Sequence, residues 1–294
     1  MTPDAMLAGF IQHLRVERGL SPCTWTSYGY QIRDYMRCLA SRGITPATAT
    51  RESVLGYLEA RKNAQVASSS LFAAAIAIRQ FHRFLAERGH ASADPTIGMK
   101  LPKFKQRLPE PLSVPEIARL LDAPIGSKFN HVRNKAMMEL MYATGMRVSE
   151  LLGLTVDRVN LDDCSARICG KGGRERIIPF GNQAKEAILR YLDARNQRLH
   201  IPQAILFVNP RGQSLNRGTF WWELKRMAKR AGIQGRITPH QIRHSAATHL
   251  LAGGADIRVL QEFMGHSSIM TTQRYAHVTV ELLHDSCRKA HPRF

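Results

Sequence analysis

The sequence lacks a long hydrophobic run. No segment approaches the roughly 18 consecutive apolar residues that a transmembrane helix requires, although 44% of the 294 residues are hydrophobic. The first twenty residues, MTPDAMLAGFIQHLRVERGL, carry charges inside their apolar part and no basic segment before it, which is untypical of a secretory signal. We therefore expect a cytoplasmic protein that does not bind membranes and is long enough for two globular domains.

Cysteine is scarce and follows no pattern. The five cysteines are an odd number without a Cys-x-x-Cys pair, and the two nearest, Cys164 and Cys169, have no histidine beside them at metal-ligand spacing. Neither a disulfide framework nor a cysteine zinc site is expected. We predict reduced, mostly buried thiols.

Acidic residues are few relative to basic ones. There are 23 acidic and 42 basic residues, which gives a formal net charge of +19 and a pI of about 10.4. Residues 1–108 carry +8 and the remaining residues +11, so both parts of the chain could contact the same long polyanion, for which nucleic acid is the leading candidate. The alternative is that the charge serves only solubility.

The first hundred residues have a helical pattern. Apolar residues recur at helical spacing from Met6 to Leu14 and from Tyr28 to Leu39. Either Thr50 or Ser53 is placed to cap a third helix, and a further helix is predicted from about residue 69 to 88. This pattern predicts an all-α domain of four or five helices over residues 1–97.

A proline-rich basic segment, GMKLPKFKQRLPEPLS, predicts a linker at residues 98–112. The second domain, residues 113–294, begins with the capping box of Ser113 and Glu116. It is predicted to be mostly helical except for residues 166–180, where two β-prone runs flank a glycine-rich turn. That segment predicts a β-hairpin with Lys171 on its turn.

The segment TGMRVSELL follows a helix that is predicted to end near Thr144. Gly145 permits a sharp turn, and Arg147 and Glu150 have the three-residue spacing of neighbours on one helix face. A surface ion pair would explain this spacing equally well, so the segment alone does not indicate a site.

His240 is predicted to lie in the first turn of a helix. Thr238 and Gln241 have the spacing of a capping box, with Pro239 at the first helical position. The free N–H groups and the dipole of a helix favour an anion at this end, and Arg243 follows one turn later on the same face. We expect a phosphate-binding site there.

The same segment resembles a zinc helix, because His240 and His244 have the spacing of H-E-x-x-H. Gln241 occupies the position of the general base, which an amide cannot serve, and no third ligand is evident. We therefore predict no metal site and interpret His249, farther along the helix, as structural.

His266 and Tyr275 lie in the segment MGHSSIMTTQRYAHV. Gly265 and the two serines after His266 are expected to end one helix and begin another, with Tyr275 about two turns along. A tyrosine on a short helix is usually part of a core or an interface, and a turn lysine such as Lys171 is usually solvated. Taken singly, these residues are weak indicators.

Taken together, the four segments resemble the motifs of the tyrosine recombinase family, and among its members the Xer recombinases of bacterial chromosomes. TGMRVSELLGL is similar to the first-arginine motif, ICGKGGRERIIPF to the β-hairpin lysine motif, HQIRHSAATHLL to the His-x-x-Arg box, and MGHSSIMTTQRYAHV to the final histidine and tyrosine. The resemblance extends to RGLSPCTWTSYGYQIRDYMRCLASRGI and the closing HPRF, and thus covers nearly the whole chain. Ile242, where Xer proteins commonly have leucine, is a small departure.

The resemblance implies a mainly α fold and a set of catalytic residues. The fold would combine a SAM-like core-binding domain of four or five helices with a helical catalytic domain that contains a small β-hairpin. The implied catalytic residues are Arg147, Lys171, His240, Arg243, His266 and Tyr275.

The resemblance also implies the role of each residue. Tyr275 would attack the scissile phosphorus and form a 3′-phosphotyrosine, while Arg147 and Arg243 would bind the non-bridging oxygens. Lys171 would protonate the leaving 5′-oxygen, and His240 would assist proton transfer.

Two further roles complete this set. His266 would add a donor to the non-bridging oxygens, and Glu150 would orient His240 or Arg147. No cofactor and no metal are implied.

The implied partner is duplex DNA with a specific recombination site. Four protomers, identical or of two kinds, would assemble on two such sites, with the tail beyond Tyr275 docked on a neighbour. A sister recombinase and a DNA translocase are further expected partners, in the nucleoid of a bacterial cytoplasm. The expected role is resolution of chromosome or replicon dimers. The alternatives are an integrase or resolvase of a mobile element, a type IB topoisomerase and a non-catalytic DNA-binding regulator.

Overall fold

The computed structural model describes residues 2–101, 110–126, 128–170, 175–199, 203–235, 237–265 and 280–294. The chain divides into two compact units, Met1–Leu108 and Pro109–Phe294, each with its own hydrophobic core. The division falls inside the predicted linker, most of which lies outside the described residues.

The described part of the first unit is all-α, as predicted. Its helices are α1 (Pro3–Val16), α2 (Pro22–Ala40), α3 (Arg51–Asn63) and α4 (Ser68–Glu87), with a 3₁₀ turn at Pro46–Thr48. Thr50 is the N-cap of α3 and accepts from the Ser53 backbone N–H, while the Ser53 hydroxyl oxygen accepts from the Thr50 backbone N–H at 2.9 Å. The two residues therefore share the cap.

The core of the first unit is aromatic and contains a buried polar pair. Phe10 packs edge-on against Phe81 with ring centroids 5.2 Å apart. Tyr35 and His82 are both fully buried, and the Tyr35 hydroxyl and His82 Nε2 share a hydrogen bond of 2.9 Å. This bond connects α2 to α4 across the core.

Both ends of the predicted linker are parts of the folded units. Met99 is buried in the first core, where its carbonyl accepts a hydrogen bond from Arg79. Leu112 is buried in the second core, and its backbone N–H donates to the Ser245 hydroxyl at 2.8 Å.

The second unit is mostly helical with one small sheet. Its helices are α5 (Val114–Asp122), α6 (Phe129–Thr144), α7 (Val148–Leu152), α8 (Asn182–Arg198), α9 (Arg217–Arg230), α10 (Pro239–Ala252), α11 (Ile257–Met264) and α12 (Val280–Ala290). The predicted capping box starts α5: the Glu116 carboxylate accepts from the Ser113 backbone N–H at 2.8 Å. Helix α6 is central, since every residue from Ala136 to Thr144 is buried.

The predicted hairpin is formed by β2 (Ser165–Cys169) and β3 (Glu175–Pro179), which pair antiparallel with Ala166 opposite Ile178. A two-residue strand, β1 (Val159–Asn160), adds to β2 and completes a three-stranded sheet of order β1-β2-β3. The sequence did not indicate β1 because two residues are too short for an alternating pattern.

The burial of the thiols differs from the prediction. All five cysteines are free, but only Cys287 is buried, while Cys23 and Cys169 are exposed. Cys23 lies in the first turn of α2, and Cys169 falls on the solvent side of the alternating strand β2. None of the helices described is long and apolar enough to cross a membrane.

Candidate active site

Arg147 is the N-cap of α7 and not a member of a helix-face pair. Helix α6 ends at Gly145, which adopts a left-handed φ of 55° and on which a side chain would meet Phe263 of α11. The Glu150 carboxylate then accepts from the Arg147 backbone N–H at 2.7 Å and from its Nη1 at 3.0 Å. The Arg147 side chain remains 37% exposed, so its guanidinium can still reach a ligand.

Arg243 joins two of the sequence motifs. It lies on α10 and is 6% exposed. Its Nη1 donates to the carbonyl of Gly145 at 2.5 Å, and its Nη2 donates to the carbonyl of Met264. These carbonyls lie two residues before Arg147 and two residues before His266. Arg243 of the His-x-x-Arg motif is therefore hydrogen-bonded to residues at the start of both the first-arginine motif and the final motif.

Burial and like charge act on Arg243. Desolvation, with a smaller contribution from the positive charge of Arg147, lowers the pKa of Arg243 to about 10. The side chain is still cationic at neutral pH, and a nearby anion would be bound strongly by it.

The β-hairpin lysine motif joins the cluster through Arg176 of β3, five residues after Lys171. Arg176 donates to both carboxylate oxygens of Glu150, at 3.1 and 2.9 Å. Burial alone would raise the pKa of Glu150, but the hydrogen bonds from Arg176 and Arg147 outweigh it, so that this pKa is lowered and the carboxylate is ionised.

The sequence interpretation missed Arg176. Its position was nevertheless informative, since Arg176 lies two residues before the fully buried Ile178 on β3 and therefore on the same, core-facing side of the strand. An arginine at a core-facing strand position needs a buried partner.

His240 lies at the second position of α10 and is exposed. Thr238 caps this helix as predicted, accepting from the Gln241 backbone N–H at 3.1 Å. The reciprocal half of the predicted box is absent, because the Gln241 side chain donates to the carbonyl of Glu110 at 2.8 Å instead. His240 is thus placed one turn before Arg243, at an exposed helix N-terminus.

His249 has the structural partners expected of a core residue. It is buried, and its Nδ1 shares a hydrogen bond of 2.8 Å with the Tyr142 hydroxyl. Within the described residues, no group of three or more His, Cys, Asp or Glu side chains is arranged to hold a metal ion.

Three of the sequence-predicted residues, Lys171, His266 and Tyr275, lie outside the described residues. The residues directly before Lys171 and before His266 are described. Cys169 pairs with Glu175 at the end of the hairpin that carries Lys171, and Gly265 ends α11 in a left-handed conformation directly before His266.

The described part of the site is strongly cationic. Arg147, Arg176 and Arg243 surround the single carboxylate of Glu150. Arginine forks are suited to the oxygens of a phosphate, for which they supply fixed, permanently charged donors. A site of this kind can bind a phosphodiester and stabilise charge that develops on its oxygens.

Comparisons with known proteins identify the family to which the chain belongs. The model of the phage integrase family matches residues 111–281, and the model of the phage integrase N-terminal SAM-like domain matches residues 7–89. The tyrosine recombinase XerD of Halalkalibacterium halodurans is 43% identical over 296 residues, which cover 99% of each chain.

Solved structures share the fold. The XerH site-specific recombinase bound to its difH substrate, in a pre-cleavage complex, is 20% identical with a TM-score of 0.69, over 88% of this chain and 78% of that one. A lambda integrase tetramer bound to a Holliday junction is 18% identical with a TM-score of 0.71, over 98% of this chain and 78% of that one.

Proposed function

We propose that the cationic cluster around Glu150 is the active site of this chain. The chain belongs to the phage integrase family and is a site-specific tyrosine recombinase. Lys171, His266 and Tyr275 complete this site. The observation that carries the proposal is the pair of hydrogen bonds from Arg243 to the carbonyls of Gly145 and Met264. Motifs that lie about a hundred residues apart in sequence thereby meet at one place.

The proposed reaction is a phosphoryl transfer to Tyr275. The tyrosine oxygen attacks the scissile phosphorus and forms a Tyr–O–P bond, while the bond from phosphorus to the 5′-oxygen breaks. The phenolic proton leaves with assistance from His240, and Lys171 protonates the departing 5′-oxygen. The 3′-phosphotyrosine conserves the bond energy, so a 5′-hydroxyl of another strand can attack it and reseal the DNA.

The arginines act on the transition state. Phosphodiester cleavage in water is so slow that a catalyst must supply on the order of 20 kcal/mol. Negative charge accumulates on the non-bridging oxygens, to which Arg147 and Arg243 donate, with His266 as a further donor. Each preorganised donor of this type contributes about 10²–10³ in rate.

Substrate DNA is bound by both units in this proposal, and α9 supplies one of the contact surfaces. Lys225, Arg226 and Lys229 form an exposed basic stripe along this helix, since they recur at helical spacing. The Arg226 guanidinium also stacks over the exposed ring of Trp222 at 4.6 Å. Basic side chains in such a stripe neutralise backbone phosphates.

Assembly of four protomers on two DNA sites would couple the active sites through the C-terminal tail. In the structure α12 lies on its own unit, where Leu283 and Cys287 are buried. We propose that the tail exchanges onto a neighbouring protomer in the tetramer. Deletion of the residues after Val278 should leave binding to one DNA site nearly intact and abolish strand exchange; a truncated protein that recombines at full rate would contradict this.

The proposed biological role is resolution of chromosome or replicon dimers in a bacterial cytoplasm. The near full-length similarity to a XerD recombinase supports this role over that of a mobile-element integrase. A sister recombinase and a DNA translocase are the partners that such a role would use.

Loss of the nucleophile tests the proposed chemistry. Tyr275→Phe should bind DNA like the wild type and form no covalent adduct with a nicked suicide substrate on a denaturing gel, since only the attacking oxygen is removed. An adduct formed by Tyr275→Phe would refute the assignment of the nucleophile. If the wild-type protein forms none, the chain would be a DNA-binding regulator.

A further inference from the structure

Arg176 lies next to two of the sequence motifs in addition to its own. It belongs to the hairpin that carries Lys171, and it binds the Glu150 carboxylate through two hydrogen bonds. A side chain on Gly265, the residue before His266, would approach the Arg176 Nε to 3.0 Å. One side chain thus lies between the first-arginine motif, the hairpin and the final motif.

The ion pair between Arg176 and Glu150 is buried. The Arg176 side chain is 8% exposed and that of Glu150 is 5% exposed. Glu150 accepts from four donors, namely the backbone N–H and Nη1 of Arg147 and the two terminal nitrogens of Arg176. A buried carboxylate with four donors stays ionised and in one position. A carboxylate that loses two of these donors is held less firmly and is more easily protonated.

Arg147 depends on this arrangement because its guanidinium is only partly fixed. It is 37% exposed and contacts Glu150 through Nη1 alone, at 3.0 Å. Its remaining N–H groups are therefore available to a phosphate, provided that the Glu150 carboxylate stays ionised and in place. Arg176 is the second cation that keeps it there.

We propose that Arg176 is a positioning residue for DNA cleavage, which holds Glu150 so that Arg147 presents its free N–H groups to the scissile phosphate. Arg176 does not touch the substrate in this arrangement and acts through Glu150. This inference rests on the proposed function, since that function assigns Arg147 to the reaction.

The consequence is a change in the pH dependence of cleavage. Without Arg176, burial raises the pKa of Glu150, and the carboxyl group becomes protonated as the pH falls. Arg147 then loses its anionic partner. The cleavage rate of a variant without the Arg176 charge should therefore gain a rise with pH, from the ionisation of Glu150, in addition to the pH dependence of the wild type.

The experiment compares three variants of the full chain with the wild type in single-turnover cleavage of a suicide substrate, over about pH 5 to 9. Arg176→Met should bind DNA normally and cleave about 100-fold more slowly at neutral pH, the scale expected for a misplaced preorganised donor. Arg176→Lys should recover part of this rate, because a lysine keeps the charge but cannot form the bidentate contact. The matched control is Arg158→Met, which removes a partly exposed arginine that pairs with Glu175 of β3 at 3.1 Å; it should cleave like the wild type.

A double variant separates positioning from general destabilisation. If Arg176 acts through Glu150, Arg176→Met should have no further effect on rate in a Glu150→Gln background. Additive losses, or a pH profile of Arg176→Met parallel to that of the wild type, would overturn the inference. If Arg176→Met does not fold, Arg176→Lys and its double variant with Glu150→Gln decide by the same criteria.

Absence of a wild-type adduct would refute the proposed function. A wild-type adduct together with an Arg176→Met variant that cleaves at the wild-type rate would refute only the role of Arg176.

Discussion

Arg243 combines a structural and a chemical role at the scale of a single residue. Its side chain is buried and donates to two carbonyls of other segments. Arg147, by contrast, is more than a third exposed and has its ion-pair partner within its own capping turn. Two residues proposed to bind the same phosphate should therefore differ in what they contribute to stability.

Replacement of the two arginines should reveal this difference. Arg243→Ala leaves two carbonyls unpaired in a buried position, so the free energy of unfolding should fall by about 2–4 kcal/mol. Arg147→Ala should reduce it by about 1 kcal/mol or less. Both variants should lose cleavage activity. Denaturant unfolding of the full chain measures the difference, and equal stability losses would contradict the account.

His82 should make the first unit sensitive to acid. Burial lowers the pKa of His82 to about 4, against 6.5 for an exposed histidine. The native state keeps the ring neutral while the unfolded state binds a proton, so stability is retained above pH 6.5 and lost as the pH falls towards 4. The shift corresponds to about 3 kcal/mol at most.

Hydrogen exchange of the α2 and α4 amides, corrected for the intrinsic pH dependence, measures this loss locally in the full chain. Exchange should accelerate on acidification in the wild type and much less in His82→Gln, which cannot take up a proton. An equal acceleration in both proteins would exclude His82 as the cause.

At the scale of elements, local signals were predictable and distant pairings were not. The caps at Ser113 and Thr238 were evident because cap and partner lie three residues apart. The partner of Gln241 at Glu110 and the contact of Arg176 with Glu150 were not evident, since each joins residues that lie far apart in the chain. The residues near a helix start in the sequence determine where the helix begins, but they do not indicate which distant residue a side chain contacts in the folded protein.

Helix α12 depends on a glycine for its place on its own unit. A Cβ on Gly253 would overlap the carbonyl of Ala290 near the end of α12. The backbone of Gly253 has an ordinary φ of −77°, so a side chain there causes no strain of its own.

Gly253→Val should therefore displace α12 from the unit. Amides of residues 283–290 should exchange faster with deuterium than in the wild type. The control is Ala252→Val, which adds bulk at the preceding exposed position of α10 and should leave the exchange unchanged. Protection of α12 that persists in Gly253→Val would show that the contact at Gly253 does not hold the helix.

At the scale of the whole molecule, described residues from four short segments, spread over more than a hundred residues, lie close to Glu150 or to the arginines around it. The folded frame explains how: α10 supplies Arg243, which fixes the ends of α6 and α11, and the sheet supplies Arg176, which fixes Glu150 of α7. The order of motifs in the sequence indicated the family, while their convergence required the tertiary structure. In the sequence, Lys171 and His266 come directly after described residues of the hairpin segment and of the end of α11, and the bond to DNA is proposed to form at Tyr275.

The most direct measurement identifies the residue that becomes linked to DNA. The wild-type protein is incubated with a suicide substrate, the adduct is digested with protease and nuclease, and the modified peptide is sequenced by mass spectrometry. The account predicts a nucleotide linked through its 3′-phosphate to Tyr275, with a free 5′-hydroxyl on the other DNA product. A 5′-phosphate linkage, or a nucleotide on any other side chain, would contradict it.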